Sequence, residues 1–307
     1  MTVLWSSSWV LIKRGLAGVP PLWFAGIRYS IAALLLGATL SRPDREALRA
    51  STHRERWQLI ALGAALYFGT QGAQFVSLAY FPAVVPALIL NLVPVVVALG
   101  SAPLLGERLR PIQLAGIALC AVGTWLFFAP RLGTDTFADW HLAIPIIGLV
   151  ANGGAAMLGR AVNRRRSVPA KAVTVVSMAC GSALLLAAAA VLEPMPRLDV
   201  RGVAILAWLV VVNTAFAFTL WNKTLRTLSS AESSAINTTM LAQIAILAWA
   251  FLGEALSARD VAVLGIVIAG VLLVQRRSAT GAREAHAREI RDLAPPRREI
   301  GTREPRE

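Results

Sequence analysis

The sequence predicts an all-α integral membrane protein of ten transmembrane helices, arranged as two inverted five-helix repeats. Three observations carry that expectation. First, 56% of the 307 residues are hydrophobic and the mean hydropathy is +0.62, more apolar than a soluble domain of this length. Second, one word is written twice, as Leu105-Gly106-Glu107-Arg108-Leu109 and Leu252-Gly253-Glu254-Ala255-Leu256, each after a long apolar run. At that constant offset Leu78 meets Leu225, Ile89 meets Ile236, Ala98 meets Ala245, Gly123 meets Gly270 and Leu126 meets Leu273. Third, the basic residues crowd alternate loops. Duplication in a multi-span chain points to transport, because two packed repeats can rock about a site between them.

Apolar stretches of about 17 to 25 residues are long enough to cross the hydrocarbon as helices. They fall at 3–18, 22–40, 57–80, 83–104, 111–129, 142–160, 170–192, 202–221, 231–252 and 259–275. Turn residues divide them, as at Pro20-Pro21, Arg42-Pro43-Asp44, Phe81-Pro82 and Glu193-Pro194. Short gaps make neighbouring helices antiparallel hairpins. The first span is short, and no basic residue precedes it, so it is not read as a cleaved signal. The organisation expected is a first repeat over 1–129, a second over 142–275, and a charged tail over 276–307. The tail mixes Arg and Glu, contains Pro295-Pro296 and lacks an apolar stripe, which predicts disorder.

Orientation follows from the arginines. The 41–56 loop holds Arg42, Arg45, Arg49, Arg54 and Arg56, and the 160–171 loop holds Arg160, Arg164, Arg165, Arg166 and Lys171. The opposite loops carry only Lys13, Arg14, Arg131, Arg197, Arg201 and Arg259. The positive-inside rule then puts both termini in the cytoplasm. Five spans per repeat is odd, so the second repeat enters from the other side. Glu107 falls at the cytoplasmic face and Glu254 at the outer face.

Several function classes are disfavoured. The net charge of +13 sits between apolar runs and in the tail, where it reads as a topology signal and a contact with anionic lipid rather than nucleic acid. Cys120 and Cys180 both lie inside apolar runs and form no metal motif. His53, His141 and His286 are scattered, which leaves neither a metal cluster nor a catalytic triad. No GxxxxGK[ST] phosphate loop is present. No enzyme, metal or cofactor is therefore expected. The expected partners are a small-molecule substrate and the lipid bilayer, with a homodimer left open.

Polar side chains inside spans are costly and face a bundle interior or a wet cavity. Gln71 and Gln74, three apart, share a face of the third span, with Tyr67 one turn before Gln71. Asn91 stands beside Pro94, whose missing N–H frees a carbonyl. Asn152-Gly153-Gly154 interrupts the sixth span, and Asn213, Asn237 and Gln243 are counterparts further on. Each of these is either packing glue between helices or cavity lining. Lys13 can snorkel to the interface. Arg28, about two turns into its span, is either an interfacial anchor or a fixed positive charge that attracts a carboxylate. Most of the nine tryptophans belong to interfacial belts, while Trp9 and Trp221 sit deeper and either pack or stack on substrate. Glu107 and Glu254 are expected to cap the following helix or to pair with Arg108, Arg110 or Arg259.

These words resemble a known family. Trp5-Ser-Ser-Ser-Trp9-Val-Leu-Ile-Lys13-Arg-Gly-Leu16, then Pro20-Pro21 and Arg28, resembles the opening of an EamA repeat of the drug/metabolite transporter superfamily. Trp221-Asn-Lys-Thr-Leu225, Ser230-Ala-Glu-Ser-Ser-Ala-Ile236 and Leu252-Gly-Glu254 resemble the close of the second repeat, and Pro94 with Leu105-Gly-Glu107 matches the first. The resemblance covers about 1–275. It implies ten helices, a plasma-membrane location and movement of small metabolites, often outward. Amino acids or their derivatives are the leading substrates it suggests, and a broad exporter of amphipathic or aromatic compounds is the alternative. There are departures. Leu241 stands where the repeat pattern would place a second proline. The first span carries Ser6, Ser7 and Ser8 instead of the glutamate that four-helix multidrug members use for proton exchange, so that coupling does not carry over.

Overall fold

The apolar runs fold as helices in a computed structural model that describes residues 2–105, 110–131, 140–164, 167–217, 220 and 237–275, with no strand among them. In order they are α1 (Thr2–Gly15), α2 (Pro21–Ala38), α3 (Arg42–Ala50), α4 (His53–Tyr80), α5 (Val84–Leu90), α6 (Val93–Leu105), α7 (Pro111–Phe128), α8 (Ala143–Arg164), α9 (Ala170–Leu192), α10 (Val200–Trp208), α11 (Met240–Leu252) and α12 (Ala258–Gln275). Six of them, α2, α4, α7, α8, α9 and α12, are long and apolar enough to cross a membrane. Large apolar side chains such as Leu34, Trp125, Val191 and Trp249 point outward. Such an exterior suits hydrocarbon rather than water. The chain is a multi-pass membrane protein.

Helix starts follow local chemistry. The 41–56 loop contains α3, which the apolar pattern gives no reason to expect. Ser41 and Asp44 cap it reciprocally, and Thr52 and Glu55 do the same for α4. Ser257 and Asp260 bond each other's side chain and backbone at the start of α12. Gly253 ends α11 in the left-handed region at φ 68°, which only glycine adopts freely. This glycine belongs to the repeated word. By turning the chain sharply there, it aims Glu254 back over the bundle.

Two helices widen near their middles. Ala64–Gly72 within α4, and Leu209–Phe216 following α10, are π-helical. In each, a threonine hydroxyl donates to the carbonyl five residues back: Thr70 to Ala65 at 3.0 Å and Thr214 to Leu209 at 2.9 Å. A π-turn inserts an extra residue and often marks a functional site. The fourth apolar run is broken at Asn91-Leu92, and Pro94 stands in the first turn of α6, where its missing N–H costs nothing. The sixth is not broken. α8 runs through Asn152-Gly153-Gly154 without interruption, contrary to expectation, because both glycines keep helical backbone and only Gly153 is tightly approached, by the Val96 side chain.

The closest helix pairings are α2 along α9 and α7 along α12. Small residues permit them. A Cβ on Gly116 would lie 2.7 Å from the Gly270 carbonyl oxygen, and one on Gly270 would lie 2.7 Å from Cys120 Sγ. Where α4 crosses α9, a Cβ on Gly181 would lie 2.4 Å from the Gly63 carbonyl oxygen. Backbones meet this closely only where side chains are absent, which is how helices associate without a hydrophobic driving force.

Candidate functional site

A cavity of about 600 Å³ lies among α1, α2, α4, α5, α8, α11 and the widened segment after α10. Its wall holds Arg28, Tyr67, Gln71, Gln74, Asn91, Pro94, Asn152 and Asn237, residues that are scattered across the sequence. All were singled out by their chemistry in the sequence, and the tertiary structure brings them to one space. Trp221 and Glu107 lie outside the described residues.

The π-turn in α4 sets one wall. It turns Tyr67, Thr70, Gln71 and Gln74 toward the space. Gln71 Oε1 accepts a 2.8 Å hydrogen bond from the Tyr29 hydroxyl. Tyr29 and Tyr67 meet edge to face at 5.2 Å. Tyr29 has no flag in the sequence, since a lone tyrosine in an apolar run reads as core; only its proximity to Gln71 identifies it.

Arg28 is not an interfacial anchor. It is 5% exposed. Its Nε and Nη2 donate to Thr214 Oγ1 at 3.4 and 3.3 Å, and its Cζ lies 5.2 Å from the centre of the Tyr29 ring. Thr214 of the widened segment after α10 and Phe75 of α4 pack against it. It is the one charged residue among the described residues that line the cavity.

Asn213 joins the wall beside Thr214. Its amide nitrogen donates to the Leu4 carbonyl and to Ser7 Oγ, while its Oδ1 is buried without a partner. Asn91 Nδ2 and Asn237 Oδ1 are also buried and have no partner among the described residues. Gln243, by contrast, is packing glue. It accepts from Ser6 at 3.1 Å, donates to Thr2 and Thr239, and does not line the space. Trp5 and Trp9 of α1 complete an aromatic side.

The cavity extends toward Thr174 near the start of α9 and Gln275 at the end of α12, the end carrying the arginine-rich loops. The other end is tied shut by two carboxylates. Glu193, at the end of α9, accepts from the backbone N–H groups of Leu22 and Trp23 at 3.0–3.1 Å and so caps α2. Glu254 accepts from Ala83 N at 2.8 Å and from Lys13 Nζ at 2.9 Å, capping α5. Lys13 also donates to the Phe81 carbonyl at 2.6 Å. One expectation is corrected here. Glu254 caps an earlier helix rather than the following one and pairs with Lys13, because Gly253 turns it across the bundle and Asp260 already caps α12. Lys13, in the last turn of α1, spends its charge on these two acceptors and stays 28% exposed. Phe24 and Phe75 pack edge to face at 5.5 Å, and both are fully buried. Glu193 reads in the sequence only as loop punctuation beside Pro194.

Comparison with known proteins agrees with this architecture. The EamA-like transporter family matches residues 1–129 and 140–276. The chain is 25% identical over 283 residues to the S-adenosylmethionine/S-adenosylhomocysteine transporter of Chlamydia trachomatis serovar L2, covering 88% of this chain and 85% of that one. It is 30% identical over 141 residues to the aromatic amino acid exporter YddG of Ancylobacter novellus, and 32% identical over 134 residues to the transporter YvbV of Bacillus subtilis. Those two alignments span about half of each relative, 47% and 43%. A solved crystal structure superimposes with a TM-score of 0.59 at 20% identity, over 91% of this chain and 96% of that one, and so shares the fold. Matched in both halves, the chain belongs to the EamA-like transporter family.

Proposed function

We propose that this protein is a secondary transporter, working outward, of small metabolites such as amino acids or their derivatives, and that it operates by alternating access in the cell or inner membrane. The observation that carries the reading is the cavity: about 600 Å³, enclosed by helices from both halves of the chain, with Asn91, Asn213 and Asn237 in its wall each keeping one amide atom that has no partner among the described residues. A buried amide left unpaired is costly, so a polar ligand that satisfies it binds selectively. The relatives named for S-adenosylmethionine and for aromatic amino acids support this class of cargo.

Ten helices in two inverted repeats, with both termini cytoplasmic, is the arrangement that makes this work. Equivalent helices pair across the halves, α2 with α9 and α7 with α12, and among the described residues each half carries one π-turn at a nearly matching place. Rocking one half against the other would open the end held by Glu193 and Glu254 and close the arginine-rich end. The aromatic side formed by Trp5, Trp9, Tyr29 and Tyr67 favours a second reading, a broad exporter of amphipathic or aromatic compounds.

Purified protein in liposomes, offered a panel of labelled metabolites with and without a proton gradient, tests the proposal. Saturable flux of amino acids or derivatives is expected. Flux of amphipathic or aromatic compounds without regard to an amino-acid group would favour the second reading, and no flux at all in folded protein would overturn both.

A further inference from the structure

Two neighbouring residues of α2, Arg28 and Tyr29, govern what one wall of the cavity offers a ligand. The Tyr29 hydroxyl donates to Gln71 Oε1 at 2.8 Å. Tyr29 is 5% exposed, and its ring is packed on three sides. The Arg28 guanidinium carbon lies 5.2 Å from its centre, the Tyr67 ring meets it edge to face at 5.2 Å, and Phe75 does so at 6.4 Å. A ring held this way cannot follow the amide if the amide turns. The hydroxyl therefore fixes which end of Gln71 faces the opening. Oε1 is drawn to Tyr29. Nε2 carries two protons, has no partner among the described residues and is not enclosed, so it is left to the cavity that Gln71 lines.

Arg28 adds donors of the same kind. Its Nε and Nη2 bond Thr214, which is fully buried and outside the cavity lining. Its Nη1 has no partner among the described residues and, unlike Asn91 Nδ2, is not enclosed. No described carboxylate meets the guanidinium; Glu193 and Glu254 are engaged at the tied end. An uncompensated guanidinium in a space of low dielectric repels a second cation. Gln74, three residues on from Gln71, is only 8% exposed, and neither end of its amide is held by a described residue. It can turn to suit a ligand and so does not discriminate. The held amide of Gln71 does.

We propose that Tyr29 is a positioning residue: it locks the Gln71 amide with its nitrogen toward the cavity, so that Gln71 and Arg28 together form a wall that only donates hydrogen bonds, admitting groups that accept them and turning away cations. This rests on the transport reading above and assigns how its site discriminates. Tyr29 acts through Gln71 and Arg28 acts directly, so the two roles separate under mutation.

Benzoate, benzamide and benzylammonium test it, because they differ in the group that meets the wall. Equilibrium dialysis against protein in phosphatidylcholine nanodiscs, with empty nanodiscs subtracted, gives their affinities at neutral pH. Wild type should bind benzylammonium at least about tenfold more weakly than benzamide. Arg28→Gln should remove most of that discrimination. Tyr29→Phe keeps the ring and should weaken benzamide and benzoate by about three- to tenfold. In a Gln71→Leu background the same change should have no effect beyond about twofold, which a packing role for the hydroxyl would not produce. Gln71→Glu still accepts from Tyr29 but sets a carboxylate beside Arg28, and should reverse the order to benzylammonium over benzoate. Equal binding of benzylammonium and benzamide by wild type overturns the donating wall. A Tyr29→Phe effect that persists in full without Gln71, or an unreversed order in folded Gln71→Glu, overturns the positioning role. Binding of none of the three probes by folded wild type overturns both. These outcomes concern binding alone, so the transport reading stands or falls separately, on the liposome flux.

Discussion

Glu254 ties three helices at the end of the bundle opposite the arginine-rich loops. Its carboxylate caps α5 at Ala83 and holds Lys13 of α1, from a turn at the end of α11. The side chains of Lys13 and Glu254 are 28% and 12% exposed, so water screens the pair only in part. Glu254→Ala removes one helix cap, at about 1 kcal/mol. It also removes one charge-assisted hydrogen bond, at about 1.5–3 kcal/mol. The expected loss is about 2.5–4 kcal/mol. Glu254→Gln keeps an oxygen for Ala83 and loses only the charge, for about 1.5–3 kcal/mol. Lys13→Met should show the same charged term, so the double variant should be less destabilised than the sum by about 1–3 kcal/mol. Unfolding free energies from SDS titration in mixed micelles measure all four corners of this cycle. Effects that simply add, within about 0.5 kcal/mol, would refute the tie. The role is structural, so the pH dependence of transport by Glu254→Gln should match wild type. Loss of proton dependence in well-folded protein would reassign the residue to coupling.

Further predictions follow from the same geometry. Gln71→Ala, Gln74→Ala and Asn91→Ala should each impair transport, mainly by weakening substrate binding, while membrane insertion is kept; wild-type affinity in all three would make these residues helix-packing glue. Gly270→Leu should destabilise the protein by about 1–3 kcal/mol or more, because Cys120 and the Gly116 carbonyl already occupy the space its side chain needs. Gly265→Ala, which meets nothing within 4 Å, is the control that should stay near wild type in the same melting experiment. Cysteines introduced at Arg165 and Thr136 test the topology with an impermeant thiol reagent on intact cells: label at 136 and not at 165 is expected, and the reverse pattern would overturn the inverted repeats. At α3, the Ser41 hydroxyl and backbone N–H hold the Asp44 carboxyl below its usual value. A group whose folded value is lowered stabilises above its unfolded value, so α3 should fray as the pH drops below about 4. Hydrogen exchange that is unchanged across 42–50 in that range would remove this cap as the cause.

The sequence by itself determined where helices form and what lies outside them. Long apolar runs cannot leave backbone groups unpaired in hydrocarbon, so each is helical where the structure describes it, and prolines and capping residues set the ends. The costly residues were legible on the same ground. A glutamine, asparagine or arginine inside an apolar run needs a reason, and Arg28, Gln71, Gln74, Asn91, Asn152 and Asn237 do line one cavity. The repeated word was legible as punctuation, with Gly253 as the turn. What each residue pairs with was decided by tertiary structure alone. Glu254 finds Lys13, and Glu193 finds α2, at sequence separations of 241 and 171 residues, over which periodicity carries no information. The π-turns were hidden because threonine bonding to a carbonyl five residues back leaves no compositional trace. Tyr29 and Asn213 acquire their importance from neighbours on other helices. Burial of Arg28 depends on which helices surround it, since a guanidinium two turns into a span reaches the surface unless packing closes the way.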